Sequence, residues 1–425
     1  MITLMVLAGA ARADDDAAGG VSLTTLGWAP ATQSVSAGRS SKIWAAPRRQ
    51  RVVGALARDA RVAWTAIIPG DRRCRAWLAL APRGFVCATD VRPSELAPTA
   101  TVDVPLGRYA DVRNPGADVY ATVAAVRAGT PTSNVPGTTF VAVRDAQVTV
   151  DGVTYRKTDQ GYIAARDLIG KTPTTWRGFD PRVEPPPQWP FAWVVPEAKQ
   201  RDVPVRATPA RRGAVVRRLD RRALVPVLEP GRRWTRIGVD EWVETARLRV
   251  ATRTAPPAGV AADARWIDVD LDHQVLVAYE GTTPVYATLV STGRKKYRTP
   301  IGVYLIRDKQ VRTRMRSPVT SAQHWDVADV PWSMGFRKNF ALHGAYWHDG
   351  FGGPRSHGCV NLAPADAQAL YDWTGPAVPA GWHTRQVDVA DPSDAAAATV
   401  VRLRDRRDQD PPWRDFDGTV LPARP

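Results

Sequence analysis

One stretch of the chain concentrates the residues that could do covalent chemistry. It holds three of the six histidines, His343, His348 and His357, together with Cys359. A thiol attacks well only as a thiolate, which an adjacent imidazole promotes by taking the proton and remaining as imidazolium. Cys359 follows His343 by sixteen positions, as expected for two neighbouring strands joined by a loop. Gly358 would let backbone N–H groups approach a bound carbonyl oxygen, so the stretch predicts a cysteine nucleophile.

Each of these residues also has a plainer interpretation. Cys359 could be a buried apolar residue, the commonest fate of an unpaired cysteine. His348 could bind zinc together with His343 and Cys359, and His357 could simply hold its loop. The residue types alone leave these alternatives open.

Short strands are predicted to position this stretch. Over 266–272, apolar residues alternate with three aspartates, which is typical of a strand with one buried face. Similar runs follow at 275–279, 284–290 and 303–306, separated by turn residues. Consecutive strands of this kind predict a β-sandwich or curled sheet, and residues 364–373 predict a short helix packed against it.

Separate motifs surround His343 in a fixed order. Ser291-Thr-Gly293 and Thr299-Pro-Ile-Gly302 precede it, and Ser356-His-Gly-Cys-Val-Asn361 follows it. The pattern resembles the YkuD-type L,D-transpeptidase family over residues 264–389. The resemblance implies a catalytic domain at about 263–390 that needs neither a metal nor a cofactor.

The resemblance also implies catalytic roles. Cys359 matches the acyl-accepting nucleophile and His343 the general base, which the backbone of Gly344 would orient. His357 and Gly358 match the loop whose N–H groups, with that of Cys359, would form the oxyanion hole.

Five further residues are expected on the substrate side of the site. Ser356 would also brace, by hydrogen bonding, the loop that ends at the nucleophile (residues 356–359), which we call the cysteine loop. Asn361 stands where family members carry asparagine or arginine, and is structural or substrate-facing. His348 would pack beside Trp347 or line the acceptor cleft, with Tyr346 next to them.

The resemblance implies a definite reaction. Cys359 would attack the carbonyl that joins the third residue of a peptidoglycan tetrapeptide stem to its terminal D-alanine, releasing D-alanine and leaving a thioester. An amine of another stem would then form a 3-3 cross-link, and a protein lysine or a free D-amino acid are further acceptors. Carbapenem-type β-lactams should acylate Cys359 because they mimic the acyl donor.

Two other functions compete with transpeptidation. With water as acceptor, the same chemistry gives an L,D-carboxypeptidase or a cross-link endopeptidase. A non-catalytic wall-binding protein is the second alternative, although the intact pair of Cys359 and His343 argues against it.

The three cysteines predict one disulfide. One pair and one free thiol is the natural division in an oxidising compartment. If Trp77 and Phe85 lie on paired strands, Cys74 and Cys87 face each other. Cys359 then remains free for chemistry.

Segments upstream predict small antiparallel modules. In the first and third, an aromatic residue (Phe85, Trp242) follows a tryptophan (Trp77, Trp234) by eight positions, amid alternating apolar residues. The pattern resembles bacterial SH3-like domains, which implies binding or spacing. We therefore predict a mainly β, multi-domain protein, with small SH3-like β-barrels followed by a β-sandwich catalytic domain that carries a short helix. The predicted boundaries are SH3-like modules at 39–98, 99–175 and 201–250, linkers at 14–38, 176–200 (proline-rich) and 251–262, the catalytic domain at 263–390 and a flexible tail at 391–425.

The first residues resemble an export signal. Residues 1–13 are apolar and end in Ala11-Arg-Ala13, which suits signal peptidase, although a positive n-region is missing. We interpret them as a truncated signal peptide. Because no apolar run approaches the roughly 18 residues of a membrane span, we expect a soluble protein exported to the periplasm or cell envelope.

The chain is strongly basic, with a formal net charge of +16. Such an excess attracts polyanions, although arginine spread over a solvated surface explains it equally well. Nucleic acid is not an expected partner because RNA-binding motifs and zinc-finger spacings are missing. We expect a monomer that binds peptidoglycan stem peptides, and anionic cell-wall polymer through its basic surface and SH3-like modules.

Overall fold

The computed structural model describes residues 21–38, 40–99, 106–198, 200–318, 320 and 324–424. The predicted signal peptide at 1–13 lies outside these residues. Contacts divide the chain into two compact units, Met1–Val102 with Pro379–His383, and Asp103–Val378 with Thr384–Pro425. Helices long and apolar enough to cross a membrane are absent from the described part.

Short strands with alternating burial build the first unit. Strand β6 pairs antiparallel with β7, and Trp77 lies opposite Cys87. Ile43, Leu78 and Val86 are fully buried in this unit. The strands are β1 (Ser34–Ser36), β2 (Lys42–Ala46), β3 (Arg48–Leu56), β4 (Arg61–Val62), β5 (Trp64–Asp71), β6 (Cys74–Leu80), β7 (Phe85–Cys87) and β8 (Arg92–Ser94). The predicted SH3-like character of this unit stays a prediction.

A disulfide joins β6 to β7, as the sequence predicts. The Cα atoms of Cys74 and Cys87 lie 5.7 Å apart, and both side chains are buried beside Trp77. Cys359 is the free cysteine.

Counting alkylated thiols tests this pairing. Unfolded without reductant, the protein should take up one alkyl group, at Cys359, and three after reduction. Replacing Cys74 and Cys87 together by alanine should lower the free energy of unfolding of the first unit by about 3 kcal/mol. The disulfide no longer closes a loop in the unfolded chain, which therefore gains conformational entropy. Uptake of three groups without reductant would contradict the disulfide.

The second unit begins with a small sheet around its own core. Strands run in the order β15-β9-β12-β13-β14, and the core includes Val112, Val141 and Ile163. The elements are β9 (Arg108–Val112), β10 (Gly116–Val119), α1 (Val123–Arg127), β11 (Ser133–Pro136), β12 (Thr139–Val150), β13 (Val153–Thr158), β14 (Tyr162–Ala164) and β15 (Leu168–Lys171). We call residues 106–171 the middle module.

Two small sheets around one core form the next part of the unit, residues 191–251, which we call the third module. Its strands are β16 (Phe191–Val194), β17 (Asp202–Arg206), β18 (Val215–Asp220), β19 (Leu224–Pro226), β20 (Trp234–Gly238), β21 (Glu241–Glu244) and β22 (Leu248–Ala251). The sheet orders are β19-β16-β22 and β18-β17-β21-β20. The predicted linker at 176–200 is therefore partly wrong, because β16 is a fully buried central strand.

The remaining elements build two sheets that share a core. They are β23 (Arg265–Asp270), β24 (Val275–Glu280), β25 (Thr283–Leu289), β26 (Gly302–Leu305), β27 (Asp308–Arg316), β28 (Asp326–Arg337), β29 (Phe340–Gly344), β30 (Val360–Leu362), α2 (Pro364–Trp373), β31 (Trp382–Gln386), α3 (Pro392–Ala397) and β32 (Val400–Arg404). One sheet has the order β25-β24-β23-β32-β26, and the other contains β27-β28-β29-β30. Ile267, Leu276 and Leu403 of the first meet Met334 and Leu342 of the second. The predicted mainly β catalytic domain with a short helix is confirmed.

Helix α2 follows β30 directly. Pro364 is compatible with the first turn of a helix, where no backbone donor is needed. Leu370 packs into the shared core. Asp366 is fully buried and accepts hydrogen bonds from the Tyr286 hydroxyl (2.8 Å) and the Gly178 N–H (2.7 Å). The helix is thereby fixed to both β25 and the segment that precedes the third module.

The predicted flexible tail at 391–425 is wrong for β32. This strand pairs in parallel with β23 and antiparallel with β26. The guanidinium of Arg402 bonds to Asp268 at 2.7 Å and that of Arg404 to Asp270 at 2.9 Å. These aspartates, expected on an exposed face, are buried, because their charges are paired with arginines of β32.

Candidate active site

The parallel pair β29 and β30 brings the two predicted catalytic side chains together. His343 lies opposite Asn361 in this ladder. Cys359 comes two residues before Asn361, and alternate residues of an extended chain face the same side. The Cys359 thiol donates to the Asn339 carbonyl oxygen at 3.8 Å, and the backbone of Ala341, two residues before His343, also hydrogen-bonds to it. Cys359, one residue before β30, therefore lies alongside β29, two residues earlier along that strand than His343.

The imidazole of His343 is held in one orientation. Its side chain is buried, and Nδ1 lies 3.1 Å from the carbonyl oxygen of Gly344. Since that oxygen can only accept, Nδ1 carries the proton and Nε2 keeps its lone pair. The ring also stacks on Trp347 at 5.8 Å between centroids. The structure thus contains the backbone contact that the sequence predicts for Gly344, and leaves Nε2 as the base.

Burial determines the protonation of both groups. It lowers the pKa of His343 to about 4, against the opposing effect of the Gly344 carbonyl. It raises the pKa of the Cys359 thiol to about 11, against the opposing hydrogen bond from the Ala341 backbone. Both directions favour the neutral forms. These directions describe a neutral thiol and a neutral imidazole, for which proton transfer accompanies attack. The thiolate expected from the sequence stays a prediction.

The turn before the nucleophile is braced by Ser356. Its hydroxyl donates to the Cys359 carbonyl oxygen at 2.6 Å and accepts from the Gly358 N–H at 3.0 Å. The Gly358 N–H is thus engaged, contrary to its expected oxyanion role. The Cys359 N–H has no hydrogen-bond partner among the described residues. It is therefore the available donor for a developing oxyanion.

The two upstream motifs hold the loop in place. The Thr299 hydroxyl donates to the Gly358 carbonyl oxygen at 2.7 Å and accepts from the Gly293 N–H at 2.9 Å. The Ser291 hydroxyl donates to the carbonyl oxygen of Gly353 at 2.6 Å. The motifs that carried the family resemblance therefore act as supports of the cysteine loop.

Gln274 is a supporting residue that the sequence did not indicate. It is buried, its side-chain oxygen accepts from the Thr292 N–H at 2.8 Å, and its amide donates to the Thr292 hydroxyl at 2.6 Å. The Thr292 carbonyl in turn accepts from the Ser356 N–H at 3.0 Å. A single glutamine in a turn gives no sequence signal for this role.

Two of the expected substrate-binding residues are inaccessible. Asn361 is 3% exposed, and Tyr346 is 1% exposed. The Tyr346 hydroxyl donates to the Ala328 carbonyl oxygen at 2.7 Å, and its ring stacks on Tyr109 of the middle module. Both side chains are buried, which favours the structural alternative for Asn361, and the predicted substrate contact of Tyr346 stays a prediction. Trp347, half-buried between His343 and Phe140, remains a candidate wall of the site.

His348 belongs to an internal network. Its Nε2 lies 2.9 Å from the side-chain amide of Asn361, and its Nδ1 accepts from the Gly350 N–H at 3.2 Å. Burial lowers its pKa to about 4. Across the described ranges, groups of three or more His, Cys, Asp or Glu side chains arranged to hold a metal are absent. His348 therefore supports β30 from behind the nucleophile.

His357 lies at the exposed side of the cysteine loop. Its Nε2 is 2.7 Å from the guanidinium of Arg294, and its ring lies between Tyr297 at 4.5 Å and Trp325 at 5.3 Å. Burial and the charge of Arg294 lower its pKa. His357 is thus held among three side chains, Arg294, Tyr297 and Trp325, that the sequence did not indicate.

Gly358 offers a test of the cysteine loop. Its φ is +124°, and an added Cβ would lie 2.5 Å from Cε1 of Phe340. Gly358→Ala should lower the free energy of unfolding by roughly 1–3 kcal/mol, read as a lower melting temperature, and slow acylation of Cys359. Gly353→Ala is the matched control, because Gly353 lies five residues earlier in the connection between β29 and β30 and has open space around it. Equal melting temperatures for the two variants would contradict the strained turn.

The catalytic segment matches a known family. Residues 264–389 match the model of YkuD, the L,D-transpeptidase catalytic domain. A search of curated proteins finds no match to the chain.

Solved structures with similarity to the chain include L,D-transpeptidases. A cysteine-to-serine mutant from Enterococcus faecium is 20% identical, with a TM-score of 0.26, and the match covers 36% of this chain and 55% of that one. The enzyme from Stackebrandtia nassauensis is 23% identical, with a TM-score of 0.25 and coverages of 36% and 60%. That from Mycobacterium smegmatis is 15% identical, with a TM-score of 0.27 and coverages of 62% and 98%. The chain thus spans about half the length of the Enterococcus faecium protein.

Proposed function

We infer that this protein, whose residues 264–389 form a YkuD L,D-transpeptidase catalytic domain, is a peptidoglycan L,D-transpeptidase with Cys359 as its nucleophile. The observation that carries the proposal is the parallel pairing of β29 and β30, which places Cys359, one residue before β30, alongside the strand that carries His343. The Nδ1 contact with Gly344 leaves Nε2 of His343 ready to accept the thiol proton.

Acylation is the first half of the proposed reaction. As Cys359 Sγ attacks the carbonyl between the third stem residue and the terminal D-alanine, its proton passes to His343 Nε2. The Cys359 N–H donates to the oxyanion that develops. The C–N bond then breaks, His343 returns the proton to the departing amine of D-alanine, and a thioester remains on Cys359.

The second half transfers the acyl group to an amine. His343, neutral again, accepts a proton from the acceptor amine as the amine nitrogen attacks the thioester. The C–S bond then breaks, and His343 returns this proton to the departing sulfur, so that Cys359 is restored as a thiol. An amine of a second stem yields a 3-3 cross-link, and an amine of a protein or a D-amino acid yields the corresponding conjugate. Water in place of the amine gives L,D-carboxypeptidase or endopeptidase activity.

A basic segment supports an anionic wall substrate. Arg294, Lys295, Lys296 and Arg298 are exposed beside His357, and none has an ion-pair partner among the described residues. Carboxylates of the stem peptides, and anionic wall polymer, are suitable partners for such a surface. We propose that the protein acts as a monomer after export to the periplasm or cell envelope, with the modules holding it against the wall.

Product analysis tests the function. The purified protein is incubated with disaccharide-tetrapeptides, and the products are identified by mass spectrometry. A cross-linked dimer that has lost one alanine, absent with Cys359→Ala, is the expected result. Tripeptide alone would establish the carboxypeptidase alternative, and unchanged substrate would reject the enzymatic proposal.

A further inference from the structure

The third module contacts the chain between the base and the nucleophile. We define residues 345–355 as the active-site loop. We propose that Arg222 and Arg249 of the third module are positioning residues for this loop, so that the module contributes to catalysis. The expected effect on the acylation rate rests on the proposed function, whereas the expected effect on the mobility of the loop does not.

Arg222 is the main contact. It lies in the turn between β18 and β19, and its side chain is 13% exposed. Its guanidinium bonds to the carboxylate of Asp349 and, at 3.1 Å, to the Asp349 carbonyl oxygen. Arg221 also donates to that carbonyl oxygen. A guanidinium this far buried needs its partners, because an unpaired buried charge is costly.

Aromatic rings extend this contact towards the base. The Arg222 guanidinium lies 4.4 Å from the centroid of Trp176, which stacks on Phe351 at 6.1 Å. Phe351 is 1% exposed and lies 4.9 Å from His348. His348 contacts Asn361, the residue opposite the base in the ladder. A continuous set of packed groups therefore joins the module to the strand pair that holds the catalytic side chains.

Arg249 fixes the loop at a second point. Its Nε donates to the Gly352 carbonyl oxygen at 2.5 Å. Gly352 has φ +93°, and an added Cβ would lie 2.9 Å from Cγ2 of Val195, which follows β16. The loop backbone thus approaches the module closely enough to require glycine. Two arginines of one module therefore bond to the loop backbone, Arg222 at Asp349 and Arg249 at Gly352.

Loss of Arg222 should loosen the loop without removing any group that touches the substrate. We compare Arg222→Gln with Arg218→Gln, whose native arginine bonds to Asp202 at 2.6 Å within the same module. Acylation by a carbapenem is followed by mass. Arg222→Gln should lower the second-order rate constant by roughly ten- to a hundredfold, because misplacing reacting groups by about 1 Å can cost about 10²-fold in rate. Arg218→Gln should match the wild type.

The kinetic form of the loss separates positioning from simple stability. The first-order acylation step should fall, while the half-saturating carbapenem concentration stays within about twofold. Arg222→Lys, which keeps the charge near Asp349, should recover part of the rate. The double variant Arg222→Gln/Asp349→Asn should be no slower than Arg222→Gln, because both remove one contact. Wild-type rates in Arg222→Gln, or equal losses in Arg222→Gln and Arg218→Gln, would overturn the proposal.

Hydrogen exchange gives a readout that needs no activity. Amides of residues 345–355 should exchange faster in Arg222→Gln than in Arg218→Gln. If Arg222→Gln does not fold, Asp349→Asn, which changes the more exposed partner of the same ion pair, is compared with Arg218→Gln instead. Equal exchange rates would overturn the proposal. If the wild type is not acylated while exchange differs as expected, the proposed function fails and the positioning role stands.

Discussion

We expect the replacement of Cys359 by alanine to abolish the covalent adduct that a carbapenem should form with the protein. The β-lactam carbonyl takes the place of the donor carbonyl and acylates the sulfur, and alanine offers no nucleophile. Because Cys74 and Cys87 are tied in a disulfide, no other thiol is available to react. Intact mass of the protein after incubation gives the result directly.

The control for this experiment addresses folding. Alanine is smaller than cysteine and fits the half-buried position, so the melting temperature should stay close to that of the wild type. A full adduct on folded Cys359→Ala would contradict the nucleophile assignment, and with it the proposed reaction.

His343→Gln should slow acylation by about 10²- to 10⁴-fold, the range for loss of a general base. The pH profile gives the sharper evidence. In the wild type, the rate should fall as the pH drops through about 4, because His343 becomes protonated, and should stay flat up to nearly the Cys359 pKa of about 11. In His343→Gln, only ionised thiol reacts, so the rate should rise about tenfold per pH unit towards that pKa.

His357→Gln provides the contrast, since His357 lies in the same loop but bonds to Arg294. This variant should retain the flat profile whatever its absolute rate. A rising profile in His357→Gln and a flat one in His343→Gln would reverse the assignment of the base. Thiolate absorbance from Cys359 at neutral pH in the wild type would contradict the neutral resting pair.

The strands of the catalytic sheets were predictable, but their exposure was not. Alternation over 266–272 correctly predicts β23, yet Asp268 and Asp270 are buried. Their partners, Arg402 and Arg404, lie in a segment whose charges read as a solvated tail. Pairing between distant charges leaves no local pattern, so neither the buried face nor β32 could be inferred.

The active site, too, was predictable in part. Cys359 and His343 follow from residue types and spacing, because the chemistry itself demands them. The burial of Tyr346 and Asn361 could not be predicted, because a motif gives the order of residues along the chain and not the side from which each is covered. Tyr109 covers Tyr346 from a separate module, a contact that only the folded chain defines.

The central position of β32 has a consequence for how the catalytic sheet assembles. Its neighbour β23 precedes it by well over a hundred residues, so the sheet closes through pairing at long sequence separation, which slows folding. A fragment cut at residue 389, where the family match ends, would leave β23 and β26 with open edges facing each other. Such edges invite aggregation, so the boundary of family likeness is not a boundary for autonomous folding.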